Sequence, residues 1–390
     1  MGLLRTGEEA PALAERLDAI APVLRDGAEA GEQRGRLTDE VVAALRGSGA
    51  FLASVPRELG GYELAPRQQI EVIERISRAD ASAGWAYMAV QIATGTTAAY
   101  LGPEAVRELY PDVPGGEHAL VAGQGTKPGT AVRVDGGYRI SGHWHFASGV
   151  PMASHVHTAA HCAETGESLI CTLPVEQVQL VDNWDVLGLR ATASHDYVCE
   201  DVFVPEHRTN PTIGAPVHLG GALYRLGMPN MSGICHTGWA LGLGRRILDE
   251  LRELTAAKTG ASGAAVDTDE FHAAYAHAEA LLRSARAWAM EVWADVEASL
   301  DSGTPLSTEQ ETLIRLSLHH ATRSVHEIGQ TAYKWAATAA LRRGPLQRCF
   351  RDLHAGTQHV TCGPVVQQQC GKWLAGLAPD AEWVFLSLRG

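Results

Sequence analysis

Apolar positions in the amino-terminal part of the chain recur with a helical period. Leu13, Leu17, Ile20 and Leu24 step by four, three and four residues, which lines one helix face. A second helix is predicted from Thr38, whose hydroxyl can cap it, to the glycines of RGSGA at 46–50. VPRELGGYEL (55–64) places a turn at Gly60-Gly61, and helices are expected near 65–78, 81–100 and 103–110. From about 119 to 205 the period shortens. TAVRVDGGYRISG alternates about Gly136-Gly137 as a hairpin does, and ESLICTLPV, EQVQLVD and HDYVCEDVFVP are further strand-like runs. This reads as a small unit of antiparallel strands. Helical periodicity then returns over roughly 231–259, 269–301, 307–339 and 346–373, with breaks at AAKTGASGAA, LDSGTPLS and RRGPLQ. Long amphipathic helices with short connections predict an antiparallel four-helix bundle. The expectation is an α+β multi-domain chain: a helical unit over 1–118, a small antiparallel β unit over 119–215 and a bundle over 216–390.

Composition narrows the class of partner. The 390 residues are 45% hydrophobic and 20% charged, as in an ordinary globular protein, and the formal charge is −13. That charge argues against non-specific nucleic-acid binding or an anionic membrane surface, leaving a small molecule or another subunit. Residues 81–103 hold no charge but include Gly, Ser, Thr, Gln and Tyr, so a wholly buried helix is expected there instead of a membrane span. Seven scattered cysteines without a CxxC pair suggest reduced thiols of a cytoplasmic protein, and no signal peptide is expected ahead of RTGEEA. The opening MGLLRT fits the loose myristoylation pattern, which short sequences often match by chance.

The familiar cofactor and nucleophile motifs are missing. GQGTKPG at 123–129 and GLGRR at 242–246 both fail the dinucleotide fingerprint, and the chain has no GxxxxGK[ST], GxSxG or HExxH. The β unit is rich in histidine (143, 145, 155, 157, 161), and on a strand His143 and His145 share a face, as do His155 and His157. A metal would need a carboxylate or a third histidine converging on the same point, so no metal is expected.

Five segments, in order, resemble the acyl-CoA dehydrogenase superfamily: VPRELGGYEL, SGHWHFASG (141–149), DNWDVLGLRATASHDYVCEDVFVP (182–205), LGLGRRILDEL (241–251) and GPLQRCFRDLHAGTQH (344–359). Within it the chain is most similar to the flavin-dependent monooxygenases that draw reduced flavin from a separate reductase. The resemblance implies an acyl-CoA dehydrogenase-like fold, a homotetramer, and FAD or FMN between the β unit and the bundle. It implies that Phe146, Ala147 and Ser148 touch the flavin ring, with the Ser148 hydroxyl near N5. Trp184, Gly188, Leu189, Arg190, Thr192 and Ser194 match the loop that closes over flavin and substrate, although Gly188 and Arg190 also read as turn formers. Arg323, Arg342, Arg343 and Arg348 lie where the family receives cofactor phosphates, sometimes across subunits. Each of them also reads as a solvated helix-face charge.

A dehydrogenase of this family needs a carboxylate to remove the proton α to a thioester. Where many members carry YEGT this chain has HAGT, so Ala355 stands at the base position, and the alternative seat within MPNMSGICHTGWALGLG (228–244) has no acidic residue. His359, one helical turn beyond Ala355, matches a histidine of the monooxygenase branch and is the expected proton handler. His354 would point elsewhere, about 140° around a helix. Several relatives have a histidine on the second buried helix where this chain reads AVQIATG, which nominates Gln91 or Thr94 for the substrate pocket. The expected function is hydroxylation of a small aromatic or amine-type substrate by O2 through a C4a-hydroperoxyflavin. The alternatives are a flavin dehydrogenase of unusual substrate and a non-catalytic binding subunit.

Overall fold

The computed structural model describes residues 9–260 and 265–389. The MGLLRT pattern and the middle of the AAKTGASGAA break lie outside them. Five helices open the chain: α1 (Glu9–Arg34), α2 (Asp39–Gly47), α3 (Pro66–Ala79), α4 (Ala81–Tyr100) and α5 (Pro103–Leu109). Leu13, Leu17 and Leu24 are buried and Ile20 packs against the same core, as their spacing predicts. Thr38 caps α2 by accepting the Val41 N–H, and Asp80 caps α4 by accepting that of Ala83 at 2.8 Å. Every residue of α4 except Ala89 is buried, which accounts for its lack of charge. Among the described residues no helix is long and apolar enough to cross a membrane.

Seven strands follow: β1 (Val121–Val134), β2 (Gly137–Ala147), β3 (His155–Cys162), β4 (Ser168–Pro174), β5 (Gln179–Val181), β6 (His195–Pro205) and β7 (Thr209–Pro211). They form one sheet of order β5-β6-β2-β1-β3-β4-β7. Two details differ from the sequence expectation. The hairpin loop is Asp135-Gly136, because Gly137 already pairs with Val134; Gly136 supplies the positive φ, +76°, that such a turn needs. The sheet is also not wholly antiparallel. After β2 the chain passes over β1 and settles on its far side, so β3 runs parallel to β1.

The carboxy-terminal part holds α6 (Gly227–Lys258), α7 (Asp269–Ser302), α8 (Thr308–Ala336), α9 (Pro345–Gly356) and α10 (Pro364–Leu374), then a hairpin of β8 (Glu382–Val384) and β9 (Ser387–Arg389). The fourth long helix expected over 346–373 is therefore two helices. Gly363-Pro364 causes the break, since proline starts a helix well and drives the residue before it out of the helical region; Gly363 has ψ 153°. The segment 357–363 forms a turn, and His359 sits there with extended backbone, φ −64° and ψ 141°. His359 therefore stands outside the helix that carries His354 and Ala355, and helical phase does not relate it to them.

Candidate active site

The chain end of β2 carries the first group. Phe146 takes a left-handed backbone, φ +64°, and leaves its side chain 66% exposed, edge-on to Trp184 with centroids 6.1 Å apart. Ala147 and Ser148 are buried. Ser148 Oγ accepts the Trp85 indole N–H of α4 at 3.2 Å and lies 2.7 Å from Ser194 Oγ. Ser194 Oγ is in turn 2.7 Å from Thr192 Oγ1, whose hydroxyl donates to the Leu189 carbonyl at 2.8 Å. The loop that presents these hydroxyls is strained at two non-glycine residues, Leu189 at φ +57° and Ala193 at φ +44°. It is pinned to α9: the Leu189 N–H donates to Asp352 Oδ1 at 2.6 Å and Arg351 donates to the Leu187 carbonyl at 2.9 Å. Gly188 is required there, because a Cβ would stand 2.1 Å from the Arg351 carbonyl oxygen. Trp184 donates to the Leu189 carbonyl and Arg190 to that of Val186, so both brace the loop from inside.

Trp85 joins this hydroxyl chain to two histidines. Its ring meets His359 edge-on at 5.6 Å, His236 at 5.1 Å and Trp239 at 4.9 Å, and the two imidazoles lie 4.0 Å apart. His359 caps its own turn: Nδ1 accepts the Thr361 backbone N–H at 3.4 Å and lies 2.8 Å from the Thr361 hydroxyl. An N–H can only donate, so neutral His359 keeps its proton on Nε2. Burial pushes its pKa down to about 4. Burial, and secondarily the neighbouring His359, hold His236 well below the usual histidine range. Both rings are therefore neutral at pH 7. His236 has no hydrogen-bond partner among the described residues, although only 7% of its surface is exposed. No motif marks it in the sequence, where its only signal is a single histidine in an uncharged stretch of α6.

The remaining nominated residues fall elsewhere. Gln91 donates to Gln69 at 3.0 Å while its Oε1 has no partner among the described residues, and Thr94 accepts the Val121 N–H at 3.0 Å; both side chains are fully buried in the core. Ala355 packs against the main core. His354 donates from Nδ1 to the Phe350 carbonyl and meets His326 of α8 at 3.3 Å, away from His359. Arg190, Arg343, Arg348 and Arg351 line a cleft of about 590 Å³ together with Glu29 and Glu32. Arg323 is exposed on α8 and does not line it. On the sheet, His143 and His145 both bond to Asp196 Oδ2, at 3.0 and 2.6 Å. Burial raises the Asp196 pKa, but hydrogen bonds from His145, Asn183 and His143 outweigh it and leave the carboxyl below its usual range. The carboxylate convergence that the sequence did not lead one to expect is thus present, with the three ligand atoms within 4.8 Å of one another.

Family models described as acyl-CoA dehydrogenase N-terminal domain and acyl-CoA dehydrogenase C-terminal domain match residues 9–113 and 234–364. Indole-3-acetate monooxygenase of Pseudomonas putida is 33% identical over 376 residues, 93% of this chain and 94% of that one. The chain belongs to the acyl-CoA dehydrogenase superfamily, in its flavin-dependent monooxygenase branch. The HsaA oxygenase subunit of a flavin-dependent monooxygenase from Mycobacterium tuberculosis is 28% identical, covering 91% of this chain and 93% of its own. Among solved structures, 3-HSA hydroxylase from Rhodococcus sp. RHA1 superposes with a TM-score of 0.87 at 26% identity, covering 94% of this chain and 97% of that one. XiaF from Streptomyces sp., solved with FADH2 and glycerol, gives 0.85 at 25% identity over 97% and 98%. A superfamily flavin fits the residues present. An exposed aromatic edge stands beside a buried hydroxyl, and an arginine-lined cleft suited to phosphate is lined by the same loop.

Proposed function

We propose that this protein is the oxygenase component of a two-component system, taking reduced FMN or FAD from a separate reductase and hydroxylating a small aromatic or amine-type substrate with O2. The observation that carries the reading is the composition of the site. Where abstraction of a thioester α-proton would require a carboxylate, the structure offers two neutral imidazoles, an indole N–H and a hydroxyl. Of the nearby buried carboxylates, Asp80 accepts the Ala83 N–H and Asp352 accepts that of Leu189 through Oδ1, both serving as backbone caps, while Asp352 Oδ2 has no partner among the described residues. Reduced flavin supplies two electrons and two hydrogens, so that one oxygen atom enters the substrate and the other leaves as water.

The chain's own part is orientation, exclusion of water and placement of protons. His359 presents Nε2–H as a donor, Ser148 faces the flavin edge, and Trp85 with Trp239 supplies an apolar wall. Phe146, Ala147, Ser148, Trp184, Arg190 and Thr192 hold the ring and the loop over it, and Arg348 serves the phosphates. Relatives named for indole-3-acetate and for resorcinol favour an aromatic substrate over an amine. Seven unpaired cysteines suit a cytoplasmic protein, and the same reading makes it a homotetramer.

The test supplies the protein with FMN or FAD, NADH, a flavin reductase and a panel of phenols and indoles, and measures hydroxylated product against hydrogen peroxide. Product should account for most of the NADH consumed. In Ser148→Ala or His359→Ala, peroxide should replace it. An acyl thioester that anaerobically bleaches oxidised flavin on the protein would sink the reading.

A further inference from the structure

The hydroxyls beside Ser148 form a chain whose proton order is fixed from both ends. The Leu189 carbonyl can only accept, and it takes the Thr192 O–H at 2.8 Å. Thr192 has no second hydrogen, so across the 2.7 Å contact Ser194 must be the donor. With its one hydrogen spent, Ser194 accepts across the next 2.7 Å contact, and Ser148 donates. At the other end the Trp85 indole N–H, which can only donate, fills one lone pair of Ser148 Oγ at 3.2 Å. Ser148 is thus left with a single lone pair and no hydrogen. Water cannot easily reset the order, since Ser148, Thr192 and Ser194 are only 7%, 1% and 2% exposed. The Leu189 carbonyl is itself saturated, by Thr192 and by the Trp184 N–H at 2.9 Å.

We propose that this chain makes Ser148 a pure hydrogen-bond acceptor, so that the site selects the reduced form of flavin, whose N5 carries a hydrogen, over the oxidised form, whose N5 carries only a lone pair. Thr192 and Ser194 are then positioning residues for redox-state selection. The inference rests on the flavin reading above and on Ser148 facing N5. Its chemistry is simple: N5–H donates to the open lone pair of Ser148, whereas an unprotonated N5 meets that lone pair head-on. Rejection of the spent, oxidised cofactor would let each turnover end with its release to the reductase.

The test is equilibrium binding of FMN and FAD, each oxidised and dithionite-reduced under anaerobic conditions, with no substrate and no turnover. The wild-type protein should bind the reduced form at least about tenfold more tightly, roughly the worth of one buried hydrogen bond. In Ser194→Ala the Ser148 hydrogen is released and can turn to an unprotonated N5. The preference should then fall by about tenfold, mainly through tighter binding of oxidised flavin. The two-electron potential of the bound flavin should fall by about 30 mV. Thr192→Val should act in the same direction, because Ser194 is then free to donate to Ser148. Ser194→Thr, which keeps the hydroxyl, should retain the preference. A gain of affinity for oxidised flavin is a result that a damaged fold does not produce. An unchanged ratio in Ser194→Ala, or equal binding of both forms by the wild type, overturns the proposal while leaving the flavin reading standing. Failure of the wild type to bind either form overturns both.

Discussion

At the scale of single residues, the tautomer of His359 divides the work between two imidazoles. With Nδ1 accepting from Thr361, His359 has a donor to offer and no open acceptor. A substrate O–H or N–H that becomes acidic as oxygen bonds to the ring needs an acceptor, and the unpartnered imidazole 4.0 Å away is His236. Its depressed pKa does not disqualify it, because the proton is lost from a ring acquiring positive charge, which is far more acidic than the resting phenol or indole. His236→Phe should therefore cut hydroxylation of indole on the order of 10²-fold, the low end for general base assistance. It should change little for 1-methylindole, which has no N–H, and steady-state rates on the pair decide the matter. Asp352 offers a stability test. Burial, then the charge of Asp80, raise its pKa from the ordinary 3.8 to about 7, and Oδ2 has no partner among the described residues. The folded state thus holds this proton more tightly than the unfolded chain does. Its contribution is complete below about pH 4 and is lost as pH rises towards 7. Asp352→Asn keeps an oxygen for the Leu189 N–H and has no proton to lose. Chemical denaturation from pH 4 to 7 should show a smaller decline of stability with rising pH in this variant than in the wild type.

At the scale of elements, the site depends on the place where α9 ends. Gly356 lies against Trp239, and a Cβ there would stand 2.1 Å from the indole Cη2. Gly356→Ala should cost about 1–3 kcal/mol by overpacking and push Trp239 towards Trp85, loosening the Trp85–Ser148 bond. Thermal unfolding should register the first effect, and weaker binding of reduced flavin the second. This junction also shows how far the sequence could be read. Leu13, Leu17 and Leu24 announced α1 by their period, and the uncharged run from Ala81 announced a buried α4, because single-helix periodicity is a local property. The Gly363-Pro364 break was legible too, yet the apolar pattern over 346–373 masked it. The parallel pairing of β1 with β3 had no local signature, since it depends on which side of β1 the returning chain settles. Ser148 and His359 came from resemblance. His236 belongs to no motif, and only the packing of α6 against the 357–363 turn makes it part of the site.

At the scale of the whole molecule, the placement of the arginines frames a test of whether assembly completes the site. The chain carries a net charge of −13, yet four arginines line one cleft; Arg351 is paired with Glu32 and Arg190 with Asp185, which leaves Arg343 and Arg348 to meet an anion there. Two of the arginines nominated for the cofactor phosphates, Arg323 on α8 and Arg342, are exposed and lie outside that cleft. In the homotetramer proposed above, the exposed Arg323 is available to a neighbouring subunit's flavin. Apolar side chains are exposed on the turn, on α10 and just beyond it: Val360, Val365, Leu374 and Leu377 are 53, 54, 50 and 72% exposed. If Leu377 is part of the contact between subunits, Leu377→Lys places a charge there without touching the core, so the fold should survive while light scattering after size exclusion shows smaller species. If Arg323 acts across the interface, Arg323→Ala should weaken binding of reduced flavin in the tetramer by about 1.5–3 kcal/mol, the range for a charge-assisted hydrogen bond. In the dissociated Leu377→Lys background the same substitution should have no further effect, because the arginine has already left its neighbour's phosphate. Arg348→Ala, within its own cleft, should weaken flavin binding in both backgrounds. A double-mutant cycle over these variants, read by flavin titration, separates the two arginines. Equal losses for Arg323→Ala in tetramer and monomer would place its effect within one subunit and remove the argument for a shared site.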